Sequence, residues 1–218
     1  TEILGRLEER ADRRVAFIKA ALEELNRKLI AAGSSLGIYH STPAEAFRKI
    51  TGEYAVKAVF TNNDYEPYAT LRDGQTAAIL KSAGIPMHSF KDQVIFEKSE
   101  VVKSDGSPYT VFTPYSRPWK KQLTAKELEP IPSESLTGNF LKRAPSKIPS
   151  PEELGFTTTV TLSPLPSVSE EIIRNYHNTR DIPSLDGTSR LGVHLRFGTA
   201  SIRRLVSTAM QLSETWLN

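Results

Sequence analysis

Between residues 35 and 90 short apolar runs alternate with helix-length amphipathic segments, and that alternation leaves few architectures open. Strands separated by connections of this length do not pair as hairpins. They pair in parallel, with the intervening helices packed over the sheet. The strand candidates are residues 35–39, 55–60 and 85–90. Between the first two, Thr42-Pro43-Ala44-Glu45 supplies an N-cap, a first-turn proline and a capping-box glutamate. Pro67 opens the next helix, and Gly84 marks its end. The pattern predicts an α/β fold with a doubly wound, Rossmann-like parallel sheet. Ahead of it, Val15, Ile18, Leu22, Leu25 and Leu29 recur at steps of three and four before Gly33, predicting a helix over residues 11–32. That helix lacks the strand it should connect, so the first strand of the sheet is expected to be missing upstream. The chain also opens at Thr1 without Met, and it stops at Asn218 just after a periodic segment with no stop signal. It is read as an interior fragment.

Beyond the sheet region the character changes. Eight of the fourteen prolines lie between residues 124 and 187, the mark of a surface connector, interrupted by a short helix over 168–176. After Gly187 the pattern is helical. Thr199 or Ser201 caps a segment whose apolar face holds Ile202, Leu205, Val206, Ala209 and Leu212. The expected division is an α/β domain over 1–123, a proline-rich connector over 124–167, and the beginning of an all-helical domain over 168–218. With both domains cut short, Val206, Leu212 and Trp216 are expected to be exposed, and the fragment to self-associate. The chain has no cysteine, which excludes disulfides, thiolate metal sites and cysteine nucleophiles. No apolar run reaches the roughly 20 residues that span a bilayer, so no membrane partner is expected, and zero cysteines with no targeting signal make the expected location cytoplasmic. A net charge of +3 and a sequence pI near 9.0 permit contact with a polyanion without requiring it.

Three segments carry candidate chemistry. In α/β sheets ligands settle beyond the carboxyl ends of strands, which points to Thr61-Asn62-Asn63-Asp64-Tyr65-Glu66-Pro67-Tyr68-Ala69. Its amides, acids and tyrosines suit a planar ligand; they equally suit Asx turns and a helix cap. The second segment is Tyr176 with Gly187-Thr188-Ser189-Arg190-Leu191, where backbone amides, two hydroxyls and a guanidinium can surround a phosphate. The plainer reading is an N-cap followed by a surface arginine. The third is residues 106–119, whose aromatics lie beside Arg117, Lys120 and Lys121. These suggest base stacking, or more simply a helix begun at Thr113-Pro114 with its aromatics buried on the sheet. His40, His88, His177 and His194 show no metal-ligand spacing, and no Walker loop, nucleophile elbow or dinucleotide fingerprint is present.

In order as well as content these segments resemble the photolyase/cryptochrome family, class I deoxyribodipyrimidine photolyases in particular. Asn63-Asp64-Tyr65-Glu66-Pro67-Tyr68-Ala69 with Arg72-Asp73, then residues 90–96, then 108–115, are similar to the family's antenna domain. Gly187-Thr188-Ser189-Arg190-Leu191 with His194-Leu195-Arg196-Phe197-Gly198 resembles the entry to its flavin site. The resemblance implies a light-driven repair enzyme in which reduced FAD donates an electron to a pyrimidine dimer in damaged DNA. It also implies an antenna pigment near the α/β domain. Tyr176, Thr188, Ser189, Arg190 and Leu191 match positions that contact FAD, chiefly around its phosphates. Where folate-using bacterial members tend to carry Asn-Glu, this chain has Tyr68-Ala69, which argues against a folate antenna held in that way. The family's aromatic flavin pocket, its electron-transfer tryptophans and most of its DNA surface are expected beyond Asn218. The fragment alone is therefore expected to bind FAD weakly or not at all and to be inactive. A cryptochrome photoreceptor shares this region and is the near alternative. From another class, a non-enzymatic α/β nucleotide-binding module would keep the sheet but fold residues 188–191 back into it rather than into a helical domain.

Overall fold

The computed structural model describes residues 2–158, 163 and 165–213. They form two compact units, one of residues 1–90 with 132–165, the other of residues 91–131 with 166–218. These units do not follow the expected limits at 123, 124–167 and 168. The proline-rich stretch is shared between them, and residues 91–123 group with the helical segment. No described helix is long and apolar enough to cross a membrane.

In the first unit α1 spans Glu2–Gly5 and α2 spans Arg13–Ala31. Asp12 caps α2: its carboxylate accepts the Arg14 amide at 2.8 Å and pairs with the Arg14 guanidinium at 2.6 Å, which lowers its pKa. Gly33, at φ 77°, turns the chain out of the helix. Helix α3 (Pro43–Glu53) begins with the capping box read from the sequence, Thr42 and Glu45 each bonding the other's backbone amide. Strand β1 (Val59–Asn62), helix α4 (Pro67–Ser82) and strand β2 (Met87–Phe90) follow as a right-sized crossover unit. The strands are parallel, in register from Val59↔Met87 to Asn62↔Phe90. The fold class is therefore mixed α/β with a parallel sheet, of two strands among the described residues. Leu80 of α4 is fully buried, and Ala69, Val15, Ala16, Phe17 and Phe156 are buried with it in this unit.

Residues 35–39 are not a strand. Their apolar run reads like one, but the polar groups there bond elsewhere. Buried Asn26 of α2 accepts from the Ser35 hydroxyl and the Leu36 amide, both at 2.9 Å, and donates to the Ser146 carbonyl at 3.1 Å. Ser35 in turn accepts the Ser146 amide at 2.8 Å. These bonds fasten the proline-rich stretch to α2 and to the segment that follows it. The Thr157 amide bonds the Arg10 carbonyl at 2.7 Å, and Lys142 bonds the Ala32 carbonyl at 2.8 Å.

The second unit holds α5 (Phe112–Gln122), α6 (Glu170–Thr179), α7 (Gly192–Arg196) and α8 (Ile202–Leu212), with no strand among its described residues. Ser169 and Ser201 cap α6 and α8. The aromatics of α5 pair with rings of their own unit, Trp119 edge-on to Phe96 at 5.5 Å and Tyr115 to Tyr109 at 6.0 Å. One expectation is corrected here: Val206 is buried and Leu212 is half-buried, because α6 packs on α8 and Arg174 of α6 bonds the Leu212 carbonyl at 3.0 Å. Trp216 lies outside the described residues.

Candidate functional site

Helices α6 and α8 leave a cavity of about 260 Å³ between them, closed on one side by the loop that joins α6 to α7. Its walls are aliphatic: Val168, Ile172 and Ile173 from the α6 side, Ile202, Leu205 and Val206 from α8. Tyr176, Thr188 and Ser189 add hydroxyls to the lining, and buried Leu191 closes it together with Leu195. Four of the five residues singled out around the phosphate-type loop thus line one cavity, although Tyr176 and Thr188 are twelve positions apart in the chain. Arg190 is the exception. Its backbone takes the left-handed conformation at φ 51°, and its exposed side chain pairs with Asp186 at 2.9 Å, outside the lining.

The loop is held by short-range packing. The Thr179 hydroxyl at the end of α6 donates to the Gly187 carbonyl at 3.2 Å. Gly187 is buried so closely that an added Cβ would lie 2.4 Å from the Thr179 Cβ. After Arg190 reverses the chain, the Leu195 amide bonds the Leu191 carbonyl at 2.9 Å and starts α7. Buried His194 sits with Nδ1 2.8 Å from the Thr199 hydroxyl, bracing the turn through Gly198, at φ 68°, into α8. His194 therefore serves the frame of the cavity. The aliphatic wall was not picked out as functional from sequence; its signal is the apolar face of α6 at Ile172, Ile173 and Tyr176 set against that of α8.

The other two candidate segments lie outside this cavity. After β1, the Asn63 amide extends the sheet to the Phe90 carbonyl at 2.8 Å, and Asp64 accepts the Glu66 amide at 3.0 Å in an Asx turn before α4. Tyr68 lies under the Arg6 guanidinium at 5.8 Å, Ala69 is buried, and Arg72 pairs with Asp73 at 2.7 Å, which raises the arginine's pKa. In the third segment Arg117, Lys120 and Lys121 stand exposed on α5.

Comparison with known proteins matches residues 5–135 to the family model for DNA photolyase. A deoxyribodipyrimidine photo-lyase of Synechococcus sp. is 31% identical over 94% of this chain and 46% of its own length. In fold the chain is similar to a class III photolyase from Agrobacterium tumefaciens, with a TM-score of 0.67 and 19% identity over 95% of this chain and 45% of that one. It is also similar to a Synechocystis cryptochrome, with a TM-score of 0.62 and 16% identity over 95% of this chain and 47% of that one. The chain spans about half the length of these relatives.

Proposed function

Because this chain belongs to the DNA photolyase family, we propose that it forms part of a flavoprotein that uses light to split pyrimidine dimers in damaged DNA. The observation that carries this reading is the convergence of Tyr176, Thr188, Ser189 and Leu191 on one cavity at the start of an all-helical segment. In this reading the hydroxyls of Tyr176, Thr188 and Ser189 donate to phosphate oxygens of FAD. The backbone amides of Ser189 and Leu191 do the same, and Arg190 adds charge from outside the lining. FAD, when bound, reduced and excited, supplies the electron that opens the dimer. The chain's own residues grip one end of the cofactor and keep water from the aliphatic wall between α6 and α8.

The cavity of about 260 Å³ is smaller than the ~300–1,000 Å³ of ordinary ligand pockets. This chain therefore holds only a portion of FAD, and its flavin affinity alone is weak or absent. The α/β unit serves as the antenna part. With Tyr68 engaged by Arg6 and Ala69 buried, it offers no Asn-Glu pair to a folate. We place the protein in the cytoplasm, and we assign any self-association of this chain to exposed rings such as Phe60 and Phe90 rather than to Val206. The test is light-dependent loss of dimers from ultraviolet-irradiated oligonucleotide, using the gene's complete product reconstituted with FAD, with and without Thr188→Ala and Ser189→Ala together. Repair that falls with the double substitution supports the reading. Flavin binding without repair moves the protein to the cryptochrome side, to which the Synechocystis structure is similar. Absence of any flavin binding overturns both.

A further inference from the structure

We propose that the outward face of α5 is a docking surface for the phosphate backbone of double-stranded DNA. Helix α5 has two unlike sides. Tyr115 and Trp119 face the body of the unit and are engaged with Tyr109 and Phe96. Arg117, Lys120 and Lys121, at spacings of three and four, share the opposite, exposed side. From Gly106 to Lys126 the sequence contains no Asp or Glu. Among the described residues none of these three cations has a carboxylate within ion-pair distance.

Elsewhere this chain pairs some of its helical cations within the helix. On α2 Lys19 pairs with Glu23 and Arg27 with Glu24, on α3 Lys49 pairs with Glu53, and on α6 Arg174 pairs with Glu170. Like charges one helical turn apart repel, so a face that carries three and no acid is complementary to a polyanion that brings the missing charge. Two features favour a nucleic acid over an anionic lipid surface. A membrane-seated helix puts an apolar face into the headgroup boundary beside its cations, whereas Tyr115 and Trp119 of α5 are already paired inside the unit. Exposed Val111 and Phe112 sit at the other end of the helix from Lys120 and Lys121. What remains beside the cations is charge alone, which reads phosphates rather than base edges.

No residue of α5 lines the cavity between α6 and α8, so this surface does not depend on the flavin reading. Its test needs no flavin, light or lesion. Binding of this chain to a labelled, undamaged duplex is followed by fluorescence anisotropy in the dark over a salt series. The same series is run on the variant Arg117→Gln/Lys120→Gln/Lys121→Gln and on Arg117→Lys. Three phosphate contacts contribute about −2.7 to the slope of log K against log salt. Between about 50 and about 200 mM salt the original chain should thus lose about 40-fold more affinity than the triple variant, while Arg117→Lys keeps the original slope. Circular dichroism of the triple variant should retain the helix signal, since all three side chains are exposed. Equal slopes in the original chain and a folded triple variant overturn the proposal. So does binding to phosphatidylserine vesicles that the triple variant loses while duplex binding stays unchanged, which would make the face a membrane contact.

Discussion

Replacing Gly187 by alanine tests the packing on which the candidate site depends. The backbone there lies outside the left-handed region, so the constraint is one of space rather than of conformation. An alanine Cβ would lie 2.4 Å from the Thr179 Cβ, 2.5 Å from its hydroxyl oxygen and 3.2 Å from its carbonyl oxygen. Carbon atoms rest at about 3.5–4.0 Å, so loop and helix end must part by about 1 Å. No rotamer change relieves the contact, because a Cβ does not move with χ1. Overpacking of this kind costs about 1–3 kcal/mol, and loss of the bond from the Thr179 hydroxyl to the Gly187 carbonyl adds about 1 kcal/mol. With a urea dependence of about 2 kcal/mol per molar, the unfolding midpoint should fall by about 1–2 M. Far-UV circular dichroism during urea titration measures it. Gly187→Ala combined with Thr179→Gly removes the colliding Cβ and should cost less than the two single changes summed. A Gly187→Ala chain within about 0.5 kcal/mol of the original would refute the reasoning, since that is the range of a neutral surface change.

Asn26→Ala should destabilise the chain by about 2 kcal/mol or more in the same titration, because it strands the Leu36 amide and the Ser146 carbonyl away from their partner; a change under about 0.5 kcal/mol would dispose of the idea. Glu152 accepts hydrogen bonds from the Thr158 hydroxyl and amide, and its pKa is lowered to about 2, chiefly by that hydroxyl. The folded value lies below the ordinary one, so the contribution to stability is full above about pH 4.5 and is lost as pH falls toward 2. Thr158→Val should move the Glu152 titration upward by carboxyl NMR, and an unmoved midpoint counts against the hydroxyl as the cause.

Local signals carried most of what could be read in advance. The Thr42/Glu45 box, Pro67 and the glycines at 33 and 84 fix helix ends through bonds within a few residues, and these appear where the sequence puts them. The parallel pairing of β1 with β2 followed from the helix between them. Residues 35–39 misled for the opposite reason. Their partners are a side chain in the preceding helix and a backbone amide more than a hundred positions later, and no local pattern encodes that choice. Around the cavity, the hydroxyls of Thr188 and Ser189 were visible as a motif, whereas the outward turn of Arg190 depends on a left-handed backbone and on Asp186. The aliphatic wall was present as two ordinary amphipathic stripes, and only the packing of α6 on α8 makes it one surface.

The bond between Asn26 and Ser146 spans 120 residues, and its consequence lies in time rather than energy. At a synthesis rate of ~5–20 residues per second, α2 leaves the ribosome about 6–24 s before the segment that satisfies its buried amide. The first unit gathers residues 1–90 and 132–165, so it cannot close in the order in which it is made. Part of the second unit, residues 91–131, emerges while the first is still open. A nascent chain of this kind holds Asn26, Ser34 and Ser35, all buried in the finished unit, without their partners from residues 141–146 throughout that interval.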